Sequence, residues 1–152
     1  MVEQRDEQME SPRPAWRLPP GNPRTTGKSV LIVEDNPLNM KLFSAMVAAQ
    51  GCQVLQAMDG PRGLDLAYQE HPDLIIMDVQ LPGMSGLEIT HLLKADAETR
   101  DIPIIITTAY QYDEEVRASG CDGYMAKPIA ISEFLELVES LIVRSSQASR
   151  IE

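Results

Sequence analysis

Basic residues are scarce in this chain: 13 Lys and Arg face 23 Asp and Glu, a formal net charge of −10. That balance excludes a nucleic-acid groove or an anionic-membrane surface, both of which call for clustered cations. Cation binding suits it better. Cysteine is nearly absent, and Cys52 and Cys121 show no metal-ligand spacing. They read as small core residues, kept as thiols in a reducing compartment. No apolar run approaches the length of a membrane span, and Met1 to Asp6 carries Glu3 and Asp6 with no apolar stretch behind it. Neither a membrane anchor nor a signal peptide is expected, and the expected location is cytoplasmic.

What is present fits one domain with a sizeable core, since 152 residues leave little room for two. Residues 1–27 read as a disordered, Pro-rich arm, with Pro12, Pro14, Pro19, Pro20 and Pro23 set among charges that cancel. Trp16, in RPAWRLPP, is a stray aromatic to which no role is assigned. The acidity belongs to residues 28–143, where 7 Lys and Arg meet 18 Asp and Glu. Residues 144–152 read as a C-terminal tail.

From Ser29 strand and helix patterns alternate, as βαβ units around a parallel sheet require. Ser29–Val33 is the first expected strand, followed by Glu34 and Asp35 and then by a helix start, with Asn36 as N-cap and Pro37 at the first helical position. Leu38, Leu42, Phe43, Met46 and Val47 recur at helical spacing until Gly51. Cys52–Ala57 is the second strand and Gly60–Glu70 the second helix, ended by His71-Pro72. Leu74 to Met77 has no polar alternation, the pattern of a strand covered on both faces, and it ends on Asp78 before Pro82 and Gly83 turn the chain. Ser85 and Glu88 then have capping-box spacing ahead of a third helix. Ile102–Thr107 is expected as the fourth strand, Tyr112–Ser119 as a short helix ended by Gly120, and Asp122–Ala126 as the fifth strand. Ser132 caps a last helix carrying Phe134, Leu137, Val138, Leu141 and Ile142. These alternations predict a doubly wound three-layer α/β sandwich on a five-stranded parallel sheet.

In such a sheet the carboxyl ends of the strands share one edge, which brings together Glu34, Asp35, Asp78, Thr107, Thr108 and Lys127. Three crowded carboxylates repel each other unless a hard cation bridges them, and oxygen ligands with room for water suit Mg²⁺. Asp78 is then a carboxylate able to form an acyl phosphate, with Lys127 and the Thr108 hydroxyl placed to hold phosphoryl oxygens. Each residue alone has a plainer reading: acidic groups near a helix N-terminus, a β-branched strand residue, a solvated lysine. Their convergence at one edge favours a site. His71 and His91 read as surface residues on or beside helices.

Glu34-Asp35, Asp78 with Pro82 and Gly83, Thr108-Ala109 and Lys127-Pro128 together resemble the receiver domain of two-component response regulators, over residues 28–143. VEDNPLNMKLF and DLIIMDVQLPGMSGLEIT are most similar to the single-domain, DivK-type regulators of bacterial cell-cycle control. The resemblance implies a flavodoxin-like strand order 2-1-3-4-5. It also implies that Asp78 accepts phosphate from a histidine kinase or phosphotransfer protein; that Glu34, Asp35, Asp78 and the backbone carbonyl of Gln80 hold Mg²⁺; that Thr108 and Lys127 contact the phosphoryl group; that Tyr124 is the switch aromatic; and that Lys127-Pro128 is cis. The output is then phosphorylation-dependent binding of a downstream protein by a monomer, with no nucleic acid and no membrane, and the chain is no enzyme beyond its own phosphoryl acceptance and hydrolysis. From Thr108 to Lys127 the chain is about three residues shorter than the usual receiver. A rival reading is a small-molecule phosphohydrolase working through an aspartyl phosphate, but enzymes resembling haloacid dehalogenases want an acid where this chain has Gln80. A flavin carrier wants a Ser/Thr/Gly-rich loop where this chain has EDNPLN.

Overall fold

The computed structural model describes residues 22–109 and 113–151, so most of the arm, with Trp16, and the expected helix residue Tyr112 lie outside the described residues. The strands are β1 (Ser29–Val33), β2 (Gln53–Ala57), β3 (Leu74–Asp78), β4 (Ile104–Thr108) and β5 (Gly123–Ala126). Between and after them run α1 (Pro37–Ala49), α2 (Gly60–Glu70), α3 (Gly86–Ala95), α4 (Asp113–Ser119) and α5 (Ile131–Ile151). The sheet is parallel throughout in the order β2-β1-β3-β4-β5, as expected.

Alternation along the strands builds two cores. Val30 and Ile32 of β1, Leu74 and Ile76 of β3 and Ile105 of β4 face α1 and α5, where Phe43 meets Phe134 with ring centroids 5.4 Å apart. Leu31, Val33, Ile75, Met77, Ile104 and Ile106 face the opposite layer with Ile89, Leu93 and Val116. All five residues of β3 are buried. Each of its apolar side chains contributes roughly 1.5–3 kcal/mol by burial, so the strand that carries Asp78 is among the hardest parts of the sheet to displace.

Local signals explain most boundaries. The Asn36 side chain accepts hydrogen bonds from the Leu38 and Asn39 amides at 2.9 and 3.0 Å, and Pro37 opens α1. β4 runs from Ile104 to Thr108 rather than from Ile102 to Thr107. Ile102 still belongs to a turn, its amide donating to Thr99, and Pro103 has no amide to offer the ladder. β2 and β5 each begin one residue later than the sequence pattern suggests, at Gln53 and Gly123. The Ser85 hydroxyl caps α3 by accepting from Leu87, two residues on. Ser132 is not a cap: the Phe134 amide donates to Ala130, so α5 has already begun at Ile131. That helix continues to Ile151, through most of the residues read as a tail.

The boundary at residue 27 also moves. Asn22 to Gly27 forms a turn packed on the end of α1, and Thr25 is buried. The Thr25 hydroxyl donates to the Gln50 carbonyl at 2.8 Å, the Gly27 amide donates to the Gly51 carbonyl at 2.9 Å, and the Asn22 amide group donates to Glu139 of α5 at 2.7 Å. Carbonyls at a helix C-terminus lack partners within the helix, and here a turn supplies them. Gly51 has a φ of +84°, and a Cβ there would stand 2.6 Å from the Thr26 hydroxyl, so the close fit needs glycine.

Removing residues 1–27 is therefore expected to cost about 1–3 kcal/mol of stability relative to removing residues 1–21, the worth of a few hydrogen bonds lost with a buried threonine. Urea unfolding of the two truncated chains measures the difference, and equal midpoints would refute the turn's contribution.

Candidate phosphoacceptor site at the carboxyl edge of the sheet

The register of β1 and β3 pairs Val33 with Met77, so the next residues, Glu34 and Asp78, leave the sheet side by side. Both are buried, whereas Asp35 is exposed at the mouth. Carboxylate oxygens of the three lie within 4.8 Å of one another. Lys127, the residue directly after β5 and joined to Pro128 by a cis bond, reaches back across the edge. Its Nζ donates to Glu34 Oε1 at 3.1 Å and to Asp78 Oδ1 at 3.2 Å. The other Glu34 oxygen accepts from the Asn36 backbone amide at 3.1 Å, which ties the carboxylate to the start of α1.

These contacts set the charge balance. Burial pushes the Asp78 carboxyl up to about 6, and the Glu34 carboxylate beside it adds to the rise; Lys127 pulls the other way without cancelling them. Burial works to lower Lys127, but the charges of Asp78 and Glu34 outweigh it and hold the ammonium above its ordinary value. The site thus carries more negative charge than its single lysine offsets. Three hard oxygen donors with that surplus fit Mg²⁺.

Glu34, Asp35, Asp78, Gln80, Thr108 and Lys127 all lie at or just beyond the ends of their strands at this edge, whereas Tyr124 pairs with Ile106 two rungs inside it. Thr108 ends β4 and is buried; Gln80 is exposed in the loop after Asp78, where a shallow cleft of about 670 Å³ opens between Asp35 and residues 79–85. Tyr124, on β5, is 44% exposed, with its ring turned partly to solvent. Both histidines are exposed, and Cys121 is half-buried where Cys52 is buried, so only Cys52 fits the core reading fully. Sequence reasoning missed Gly86. A Cβ at that position would lie 1.9 Å from the Asp78 carbonyl oxygen, while the Gly86 amide donates to Val79 at 2.9 Å. The signal was a glycine at the first position of a helix, where most residues are better formers.

Fold and site together define a receiver module, with an aspartate at the end of the central strand facing an acidic pair and a lysine. The pattern of the response regulator receiver domain matches residues 30–139, and the chain belongs to that family. It is 48% identical over 118 residues to the polar-differentiation response regulator DivK of Brucella ovis, covering 76% of this chain and 96% of that one. Among solved structures it resembles the receiver domain of the sensor histidine kinase PA1611 of Pseudomonas aeruginosa. That match has a TM-score of 0.71 and 33% identity over 77% of this chain and 98% of that one, and the neighbour has a magnesium ion coordinated in its active-site cleft. A CheY-like receiver from Methanospirillum hungatei superposes with a TM-score of 0.75 at 23% identity, over 81% of this chain and 99% of that one, a likeness of fold.

Two outcomes follow from the geometry. The raised Asp78 group takes up its proton in the folded state at a pH where the unfolded chain has already lost it. Its contribution to stability is therefore present below about pH 4 and lost as pH rises through about 6. Without metal, Asp78→Asn should be more stable than the parent above pH 7 by about 1–2 kcal/mol, and the gain should vanish near pH 4. Chemical unfolding across pH in chelator measures it, and a gain independent of pH would overturn the assignment. Gly86→Ala should cost about 1–3 kcal/mol or more, because the Asp78 carbonyl must move, and should also weaken any Mg²⁺-dependent rise in melting temperature.

Proposed function

We propose that this protein is a phosphorylation-controlled switch in which Asp78 accepts a phosphoryl group from a phosphohistidine on a histidine kinase or phosphotransfer protein, in a Mg²⁺-dependent reaction. The observation that carries the reading is the Lys127 ammonium held 3.2 Å from Asp78 Oδ1 and 3.1 Å from Glu34 Oε1, beside a further carboxylate from Asp35. An Asp78 oxygen attacks phosphorus, the P–O bond forms as the P–N bond breaks, and the imidazole leaves with its electron pair and takes a proton. Glu34, Asp35, Asp78 and the Gln80 carbonyl would hold Mg²⁺, which when bound supplies positive charge for the phosphoryl oxygens. Lys127 and the Thr108 hydroxyl supply donors on the protein side. Glu34 fixes the ammonium, and burial by the α1/α5 core keeps water from the far side of Asp78.

Leu38 and Ile131 support docking of a protein donor at this edge. They stand at the first turns of α1 and α5, and both are large exposed apolar side chains, 76% and 56% accessible. The output is binding of a downstream protein, biased by Thr108 and Tyr124 as the site gains a phosphoryl group. Such coupling gains a partner roughly 5- to 150-fold in affinity. The surface that rearranges includes α4, of which 7 residues are described. Among the described residues no helix is long and apolar enough to cross a membrane, in keeping with action in the cytoplasm.

Incubation with a small phosphodonor and Mg²⁺ should add a single phosphoryl group by intact mass, and Asp78→Asn should add none. A persistent adduct in that variant would sink the assignment. Mg²⁺ alone should raise the melting temperature, with a gain of about 1–3 kcal/mol near saturation, and Asp35→Asn should lose the response.

A further inference from the structure

Among the described residues, the buried side-chain polar atom left without a hydrogen-bond partner is Oγ1 of Thr107. Thr107 is completely buried, and an unmatched hydroxyl is a standing cost that valine, of nearly the same shape, would avoid. Its position explains why it matters. Thr107 is the register partner of Asp78 on β3 and of Met125 on β5. Ile105, two residues earlier on β4, packs in the same core as Ile76, two residues before Asp78. Thr107 and Asp78 thus stand on one face of neighbouring strands about 4.8 Å apart. Lys127, two residues beyond Met125, lays its ammonium over that row to reach Asp78 and Glu34. The lone hydroxyl lies in the floor of the site.

We propose that Thr107 donates a hydrogen bond to the acyl oxygen of Asp78 when Asp78 carries a phosphoryl group, a role separate from that of Thr108. The inference rests on the phosphoacceptor reading of Asp78. In the resting protein Asp78 Oδ1 is served by Lys127 at 3.2 Å. Phosphorylation moves negative charge from the carboxylate out to the phosphoryl oxygens, and the ammonium follows the charge. A buried acyl oxygen then needs a donor beside a buried hydroxyl that needs an acceptor. One rotation between staggered χ1 wells turns Oγ1 toward β3, and both groups are satisfied. The resting state carries the strain and the phosphorylated state relieves it, so the hydroxyl biases the equilibrium toward the switched form.

The test is calorimetric titration of the full chain with beryllium fluoride, a phosphoryl mimic, in Mg²⁺. Thr107→Val should bind it about 2- to 12-fold more weakly than the parent, the worth of one neutral hydrogen bond, while Thr107→Ser stays within about twofold. Free of ligand, Thr107→Val should melt at a higher temperature than the parent, which a loss of packing would not give. Parental affinity in Thr107→Val overturns the proposal, as does equal weakening in valine and serine variants. A parent that takes up no beryllium fluoride overturns the phosphoacceptor reading itself and this inference with it.

Discussion

One ammonium group holds this site together. Glu34 and Asp78 are buried next to each other, and two carboxylates so placed repel strongly in a medium that screens poorly. Lys127 bridges them, and it does so from the far side of the sheet, beyond β5. Folding of the edge is therefore not independent at β1, β3 and β5: the three strand ends are joined by charge as well as by the ladder. The bridge leaves a surplus of negative charge, and that surplus, more than any one side chain, makes the edge receptive to a divalent cation.

The sheet supplies what the charges cannot, which is fixed position. β3 is flanked by β1 and β4 and covered on both faces, so Asp78 is presented from a strand with little freedom to move. Backbone groups add finer control. The Asn36 amide holds one Glu34 oxygen, and α3 is drawn so close to the Asp78 carbonyl that only glycine fits at residue 86. The surface around the site is less constrained. Leu38 and Ile131, at the first turns of α1 and α5, and Tyr124 on β5 are all exposed side chains.

Much of this was legible in the sequence because its causes are local. The unbroken apolar run Leu74–Met77 predicts a strand covered on both faces, and Asn36-Pro37 predicts where α1 begins. Convergence of Glu34, Asp35, Asp78, Thr108 and Lys127 followed from the topology once the alternation of elements was read, and the receiver resemblance added Gln80 and Tyr124. What escaped had non-local causes. The turn at Asn22–Gly27 looks like more of the Pro-rich arm until Gln50, Gly51 and Glu139 are brought to it by folding. Ser132 has the chemistry of a cap, but the ladder starts at Ala130, one turn before Phe134. The need for glycine at 86 depends on a carbonyl eight residues earlier in the chain.

The anchored turn also fixes the polarity of the molecule. Asn22 to Gly27 is pinned where β1 and β2 begin, while the acidic cluster stands where β1 and β3 end, and strands of five residues separate the two poles by about 17 Å. Anything joined upstream of Asn22 is tethered at the pole remote from the cleft. A group attached at Asn22 itself would start about one strand length from Asp78, whereas the same attachment in the loop after Asp78 would stand in its doorway.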